Sequence, residues 1–195
     1  MTQIDPSAID ALIRSRRSTF PKQLVSGKKI PDETVLRILE NATWAPTHGR
    51  TEPWFFVVYT GEGLRRLGNF QSELYKNEEP NFKEDKYIKL KEQPLLASHI
   101  IAICMKRTEN TRIPEIEEVA AVACAVENIY LSLNAYGVGG YWTTGGPTYL
   151  ENAKTFFGLG PADKLLGFFY LGYIALPSPV GTRKPLSEKM KWVTE

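Results

Sequence analysis

The run from Val119 to Leu133 constrains the fold more than any other part of the sequence. It carries Ala120, Val122, Ala123, Ala125, Val126, Ile129, Tyr130 and Leu131 at positions that reach nearly every side of a helix. A helix on the outside of a globule shows one apolar stripe, so a helix apolar all round must be covered all round. Pro114 followed by Glu115, Glu117 and Glu118 sets negative charge where the helix dipole favours it, and Gly137 supplies an ending. The spacing predicts a helix from about Glu115 to Tyr136. With 195 residues the chain has the size of one domain, residues 1–195, with one core. Such a helix is either the centre of that core or is covered in part by a second subunit.

The other elements are read in the same way. Asp5 and Pro6 suit an N-cap and first helical residue, and Ile9, Leu12 and Ile13 repeat at helical spacing as far as Arg16. Pro31, Asp32 and Glu33 open a second helix with Val35, Leu36, Leu39 and Ala42 on one face, closed by Pro46. Trp54–Tyr59 and His99–Met105 read as buried strands, with Tyr141–Thr144 and Leu165–Ile174 as further strands. Leu64–Tyr75 and Lys86–Glu92 read as helices of a lidlike insertion, separated by the polar stretch Lys76–Asp85. Ala175–Glu195 is a proline-rich, basic tail. Helices and strands mix without a βαβ rhythm, which predicts an α+β fold.

Composition excludes several classes. The net charge is +2, with acids and bases interspersed, which describes a solvated face and not a nucleic-acid-binding stripe. No apolar run approaches the roughly 18 residues of a membrane-spanning helix, and Met1–Ala11 has no secretory pattern, so the expected location is cytoplasmic. Cys104 and Cys124 form no CxxC pair and lie in apolar stretches, which predicts two buried, reduced thiols. His48 and His99 are far apart and match no zinc motif.

No ordered set of nucleophile, base and orienting group stands out, so the chain is either not an enzyme or leaves the chemistry to a cofactor. Three clusters bear on that choice. Arg16, Arg17 and Ser18 close the first helix; they complement its negative end or, as guanidinium and hydroxyl, bind an anion such as phosphate. Side chains of consecutive helical residues point about 100° apart, so both arginines grip one phosphate only if the helix has already ended. Ala45-Pro46-Thr47-His48-Gly49-Arg50-Thr51-Glu52-Pro53-Trp54 is a rigid turn rich in polar side chains, of the kind that lines sites. Gly137-Val138-Gly139-Gly140-Tyr141-Trp142-Thr143-Thr144-Gly145 has its helix before the glycines and its strand after, the reverse of a dinucleotide fingerprint, yet glycines there allow a flat ligand close to the backbone.

In this order and spacing the three clusters, with Glu127-Asn128 on the central helix, resemble the nitroreductase family of FMN enzymes. That resemblance implies a mixed, mainly antiparallel sheet flanked by helices and an intertwined homodimer with two FMN sites at its interface. It implies that Arg16 and Ser18 contact the phosphate and ribityl chain, with Arg17 toward the ribityl or ring edge. Trp44 and His48 would reach the flavin of the partner subunit, Trp142, Thr143, Thr144 and Gly145 would line the ring, and Arg183 or Lys184 would meet the phosphate. Glu52 and Glu127 stand where glutamine is more usual, and Trp44 is bulkier than many relatives carry. The implied activity is ping-pong transfer of electrons from NADH or NADPH to a nitro compound, quinone or similar small acceptor. A flavin-binding protein for storage or sensing is the alternative.

Overall fold

The computed structural model describes residues 5–109 and 112–195. Helix α1 (Pro6–Ser15) begins as the sequence predicts. Asp5 is extended, its carboxylate accepts the Ser7 N–H at 3.0 Å, and Pro6 fills a position whose N–H would have no helical partner. The helix ends at Ser15, where Arg16 turns to φ −57° and ψ 127°. Helix α2 (Asp32–Ala42) buries Val35, Ile38 and Ala42. Leu36, expected on that face, is 65% exposed, because it lies about 100° round the helix from Val35 and the stripe is taken by positions three and four residues apart.

Four strands follow in the order β1-β2-β4-β3, every pairing antiparallel: β1 (Trp54–Thr60), β2 (His99–Met105), β3 (Gly139–Thr143) and β4 (Lys164–Gly172). Helices α3 (Glu62–Glu78) and α4 (Glu84–Glu92) lie between β1 and β2, and α5 (Glu115–Ala135) lies between β2 and β3. This is the expected α+β class. Strand β2 is buried at all seven positions. Strand β1, expected to be buried, is instead an edge strand whose residues are mostly half-buried, with Val58 exposed, because only β2 pairs with it.

Alternation along the strands builds a core on each face. Ile101, Ile103, Met105, Phe169 and Leu171 pack toward α2 and α5. Ile100, Ala102, Cys104, Phe168 and Tyr170 pack toward Leu67 of α3 and Phe157. At roughly 1.5–3 kcal/mol per fully buried large aliphatic side chain, these two layers dominate the folding energy. Polar pins fix their ends. His99, almost wholly buried, bonds Asp32 at 2.9 Å and Ser98 at 2.8 Å, holding the start of α2 to the start of β2. Glu118, buried on α5, bonds Arg107 and the Thr108 N–H.

The central helix is covered on one side only. Val122, Ala125, Val126, Ile129 and Leu133 are buried, whereas Ile116 is 70% exposed and Ala120, Ala123 and Cys124 face outward. Cys124 therefore departs from the expected buried thiol within one subunit, while Cys104 is buried and its thiol is pushed up to about 12 by desolvation. Among the described residues no helix is long and apolar enough to cross a membrane.

Candidate functional site

The helix does end before both arginines can diverge from it. Arg16 is the C-cap, and the Thr19 N–H donates to the Gly140 carbonyl at 2.8 Å, which lays the segment after Arg16 beside β3. The Arg16 guanidinium carbon stands 4.9 Å from the centroid of the Tyr130 ring, and its Nε is 3.9 Å from Glu127. Its side chain is 20% exposed, so a group arriving there can reach the charge. The Ser18 hydroxyl lies 3.4 Å from the Tyr130 hydroxyl, and the Ser18 carbonyl accepts from Ser178 at 2.8 Å.

Arg17, expected toward the ribityl or ring edge, makes its hydrogen bonds within the subunit to main-chain carbonyls. Its Nη1 donates to the carbonyls of Arg14 at 2.7 Å and Arg16 at 2.8 Å, and its Nε donates to Pro179 at 3.2 Å. A guanidinium committed to three carbonyls caps α1 and straps the tail to it. Of the two arginines, Arg16 is the one not committed to backbone carbonyls.

Tyr130 joins this cluster to the glycine-rich segment. Its hydroxyl accepts the Trp142 N–H at 2.8 Å. The Trp142 indole points to the α5 face, where Nε1 donates to the Leu166 carbonyl at 3.1 Å. The glycines before it serve the chain itself. A Cβ on Gly139 would lie 2.7 Å from Thr19 Oγ1, and one on Gly140 would lie 2.4 Å from the Phe169 ring. At these two positions the glycines give room to side chains of the same subunit.

On the opposite face of β3 and β4 lies a cavity of about 910 Å³. A volume of this order suits small-molecule and cofactor sites. Phe20, Tyr141, Phe168 and Tyr170 give it aromatic walls, and Thr143 and Gly145 line it from the end of β3. Burial raises the Tyr170 phenol well above its ordinary range, so it stays neutral. Gln71 of α3 and Lys86, Lys89 and Leu90 of α4 close the far side. Phe20 is four residues from Arg16, so at ~3.3 Å per extended residue their Cα atoms are separated by at most roughly 13 Å. Thr144 is exposed beside this wall.

The remaining predicted residues stand elsewhere in the subunit. His48 bonds Glu117 near the start of α5. Glu117 and Tyr130 are thirteen residues apart on one helix, which at ~1.5 Å per residue separates His48 from the Arg16 cluster by ~20 Å along the axis. Trp44 is 83% exposed and does not line the cavity. Arg183 donates to the neighbouring Thr182 carbonyl at 2.8 Å, and Arg183 and Lys184 both lie in an exposed tail. Among the described residues no group of three or more His, Cys, Asp and Glu side chains is placed to hold a metal.

Tyr130, Phe20, Gln71 and the α4 lysines were not singled out from the sequence. Tyr130 had a legible signal, as the one aromatic hydroxyl in the mainly apolar run from Val119 to Leu133; the others come to the cavity only through the tertiary fold.

An α+β fold with this cavity beside an arginine-bearing segment finds its counterpart in one family. The sequence profile of the nitroreductase family matches residues 13–173, and the chain belongs to that family, whose members are oxidoreductases. The chain is 32% identical over 154 residues to YdjA of Escherichia coli (strain K12), covering 78% of this chain and 82% of that protein. Among solved structures, a nitroreductase-like family protein from Bacillus cereus superposes with a TM-score of 0.80 at 25% identity, covering 99% of this chain and 98% of that one. The FMN-dependent nitroreductase NfnB from Mycobacterium smegmatis, solved with NADPH, shares the fold with a TM-score of 0.75 at 19% identity, over 96% of this chain and 99% of that one.

Proposed function

We propose that residues 1–195 form a single FMN-binding domain that works as a homodimer and passes electrons from NADH or NADPH to small electron-poor acceptors such as nitro compounds or quinones. The observation that carries this reading is that Arg16, whose guanidinium lies against Tyr130, and Phe20, which walls the aromatic cavity, are joined by one short non-helical segment. That arrangement fits a flat heterocycle joined to an anionic tail. When bound, FMN supplies hydride acceptance and release, which no side chain of this protein offers.

The chain's own residues bind, orient and shield. Arg16 and Ser18 present a cation and a hydroxyl to the phosphate, each charge-assisted bond contributing about 1.5–3 kcal/mol. Thr143, Thr144 and Gly145, with Trp142 fixed beneath them, form the wall against which the ring lies. The neutral Tyr170 phenol offers a hydrogen-bond donor in the cavity without adding charge. Helices α3 and α4 exclude water on the far side, and one cavity serves donor and acceptor in turn, which is the basis for ping-pong kinetics. Arg183 or Lys184 completes the phosphate's charge balance once the tail is seated.

The homodimer reading draws on what a single subunit leaves uncovered. Ile9 and Ile13 of α1, Ile116 of α5, and Val180, Leu186, Trp192 and Val193 of the tail are all exposed. Covering such surface stabilises by ~25 cal/mol per Å². A second copy also offers the route by which His48 and Trp44 reach a flavin that their own subunit holds far from His48. We place the protein in the cytoplasm, the reducing setting that suits two free cysteines.

Stopped-flow mixing tests the function. The purified protein is expected to be yellow, its flavin band bleached by NADH or NADPH and restored by a nitroaromatic or quinone. Flavin that neither nucleotide bleaches would leave the storage or sensing reading in its place.

A further inference from the structure

The wall that α4 gives the cavity carries charge apart from the Arg16 and Ser18 cluster. Lys86 and Lys89 line it nearly one helical turn apart, and Lys22 lines it from the turn after Phe20; Glu92 is the one carboxylate in the lining. Among the described residues Lys22 and Lys89 have no carboxylate in salt-bridge reach, while Lys86 lies 3.8 Å from Glu79 and 4.4 Å from the Tyr75 ring centroid. A second cavity of about 170 Å³ shares Gln71, Lys86 and Gly146 with the first, so Lys86 stands where the two meet.

Three ammonium groups around one largely apolar space repel each other, and two nearby acids, Glu92 in the lining and Glu79 beside Lys86, offset them only in part. Their mutual repulsion falls when an anion sits among them, and a lysine accepts carboxylate or phosphate alike because it acts as a point charge. We propose that Lys22, Lys86 and Lys89 form an anion subsite that selects organic substrates bearing a carboxylate or phosphate while their apolar part enters the cavity. This rests on the flavoenzyme reading above, because the substrate shares the cavity with FMN. The shared chemistry has two sources: the pyrophosphate of the nicotinamide donor, or the carboxylate of an aromatic acceptor. Because the lysines are partly exposed, the attraction weakens as salt is added.

Calorimetric titration of the purified flavoprotein with benzoate, benzamide and inorganic pyrophosphate tests it. The comparison uses Lys86→Glu/Lys89→Glu, on a helix with no buried residue, and Lys76→Glu, which does not line the cavity, as the charge control. Benzoate or pyrophosphate is expected to lose roughly tenfold or more in affinity in the α4 variant and to keep its affinity in Lys76→Glu, with benzamide unaffected. Loss for benzoate assigns the subsite to carboxylate-bearing acceptors, and loss for pyrophosphate assigns it to the donor. Unchanged affinity for both anions, or an equal loss in Lys76→Glu, overturns the subsite. A colourless protein overturns both readings, whereas a yellow, bleachable protein with unchanged anion affinities overturns this one alone.

Discussion

The Tyr130 hydroxyl accepts the main-chain N–H of Trp142 at 2.8 Å and stands 3.4 Å from the Ser18 hydroxyl, so one phenol ties α5 both to β3 and to the segment that carries Arg16. Removing it with Tyr130→Phe leaves the Trp142 N–H without its acceptor. Stability is expected to fall by about 1–3 kcal/mol, read from urea unfolding, and flavin is expected to dissociate more readily. A variant with parental stability and parental flavin retention would deny Tyr130 this joining role.

The two arginines are expected to separate by phenotype. Arg16→Ala weakens FMN retention by roughly tenfold or more, since the phosphate loses its charged partner. Arg17→Ala acts first on the fold, because three carbonyls lose their donor and the tail loses its strap. Equilibrium dialysis for flavin, run beside thermal unfolding, distinguishes them; equal flavin occupancy in Arg16→Ala and the parent would reject the anchoring role.

That separation also marks where the sequence stops being informative. The end of the helix near Arg16 and Arg17 was legible, because caps and charges act locally. Which arginine faces the site depends on the tail at Pro179, some 160 residues away, and no local pattern carries that. The strands and helices were legible from periodicity, yet the edge position of β1 was not, because pairing partners are set by the whole sheet. The apolar Val119–Leu133 helix announced a demand for cover all round, and one subunit meets it on one face. The α3 and α4 wall was legible as a lidlike insertion, but which of its residues line the cavity was not, since they come to share it with Thr143 and Gly145 only after those helices fold back over the sheet.

The crossing of α3 and α4 sets the position of that wall. A Cβ on Gly68 would lie 2.2 Å from the Lys91 carbonyl oxygen, which is main chain and cannot swing aside. Gly68→Ala is expected to cost about 1–3 kcal/mol and to shift α4 away from the cavity. Chemical denaturation and amide exchange in residues 84–92 read the two effects; an unchanged midpoint and unchanged exchange would contradict the close crossing.

Acid is expected to loosen the pin between α2 and β2. Hydrogen bonds from Lys29, and secondarily from His99, hold the Asp32 carboxyl below its ordinary 3.8. A lowered carboxyl stabilises the fold while ionised, so the contribution is full above the unfolded value and is lost as pH falls through the folded one. The difference in Tm between the parent and Asp32→Asn should therefore be constant from about pH 5 to 7 and shrink below about pH 4. A difference that grows on acidification would reverse the sign and refute the assignment.

Native mass spectrometry of the purified protein addresses the shared flavin site directly, because it counts chains and cofactors in the same particle. A particle of two chains and two FMN is expected, with Arg16→Ala shifting it toward flavin-free dimer. A monomer that keeps its flavin, or a dimer that never carries any, would contradict it.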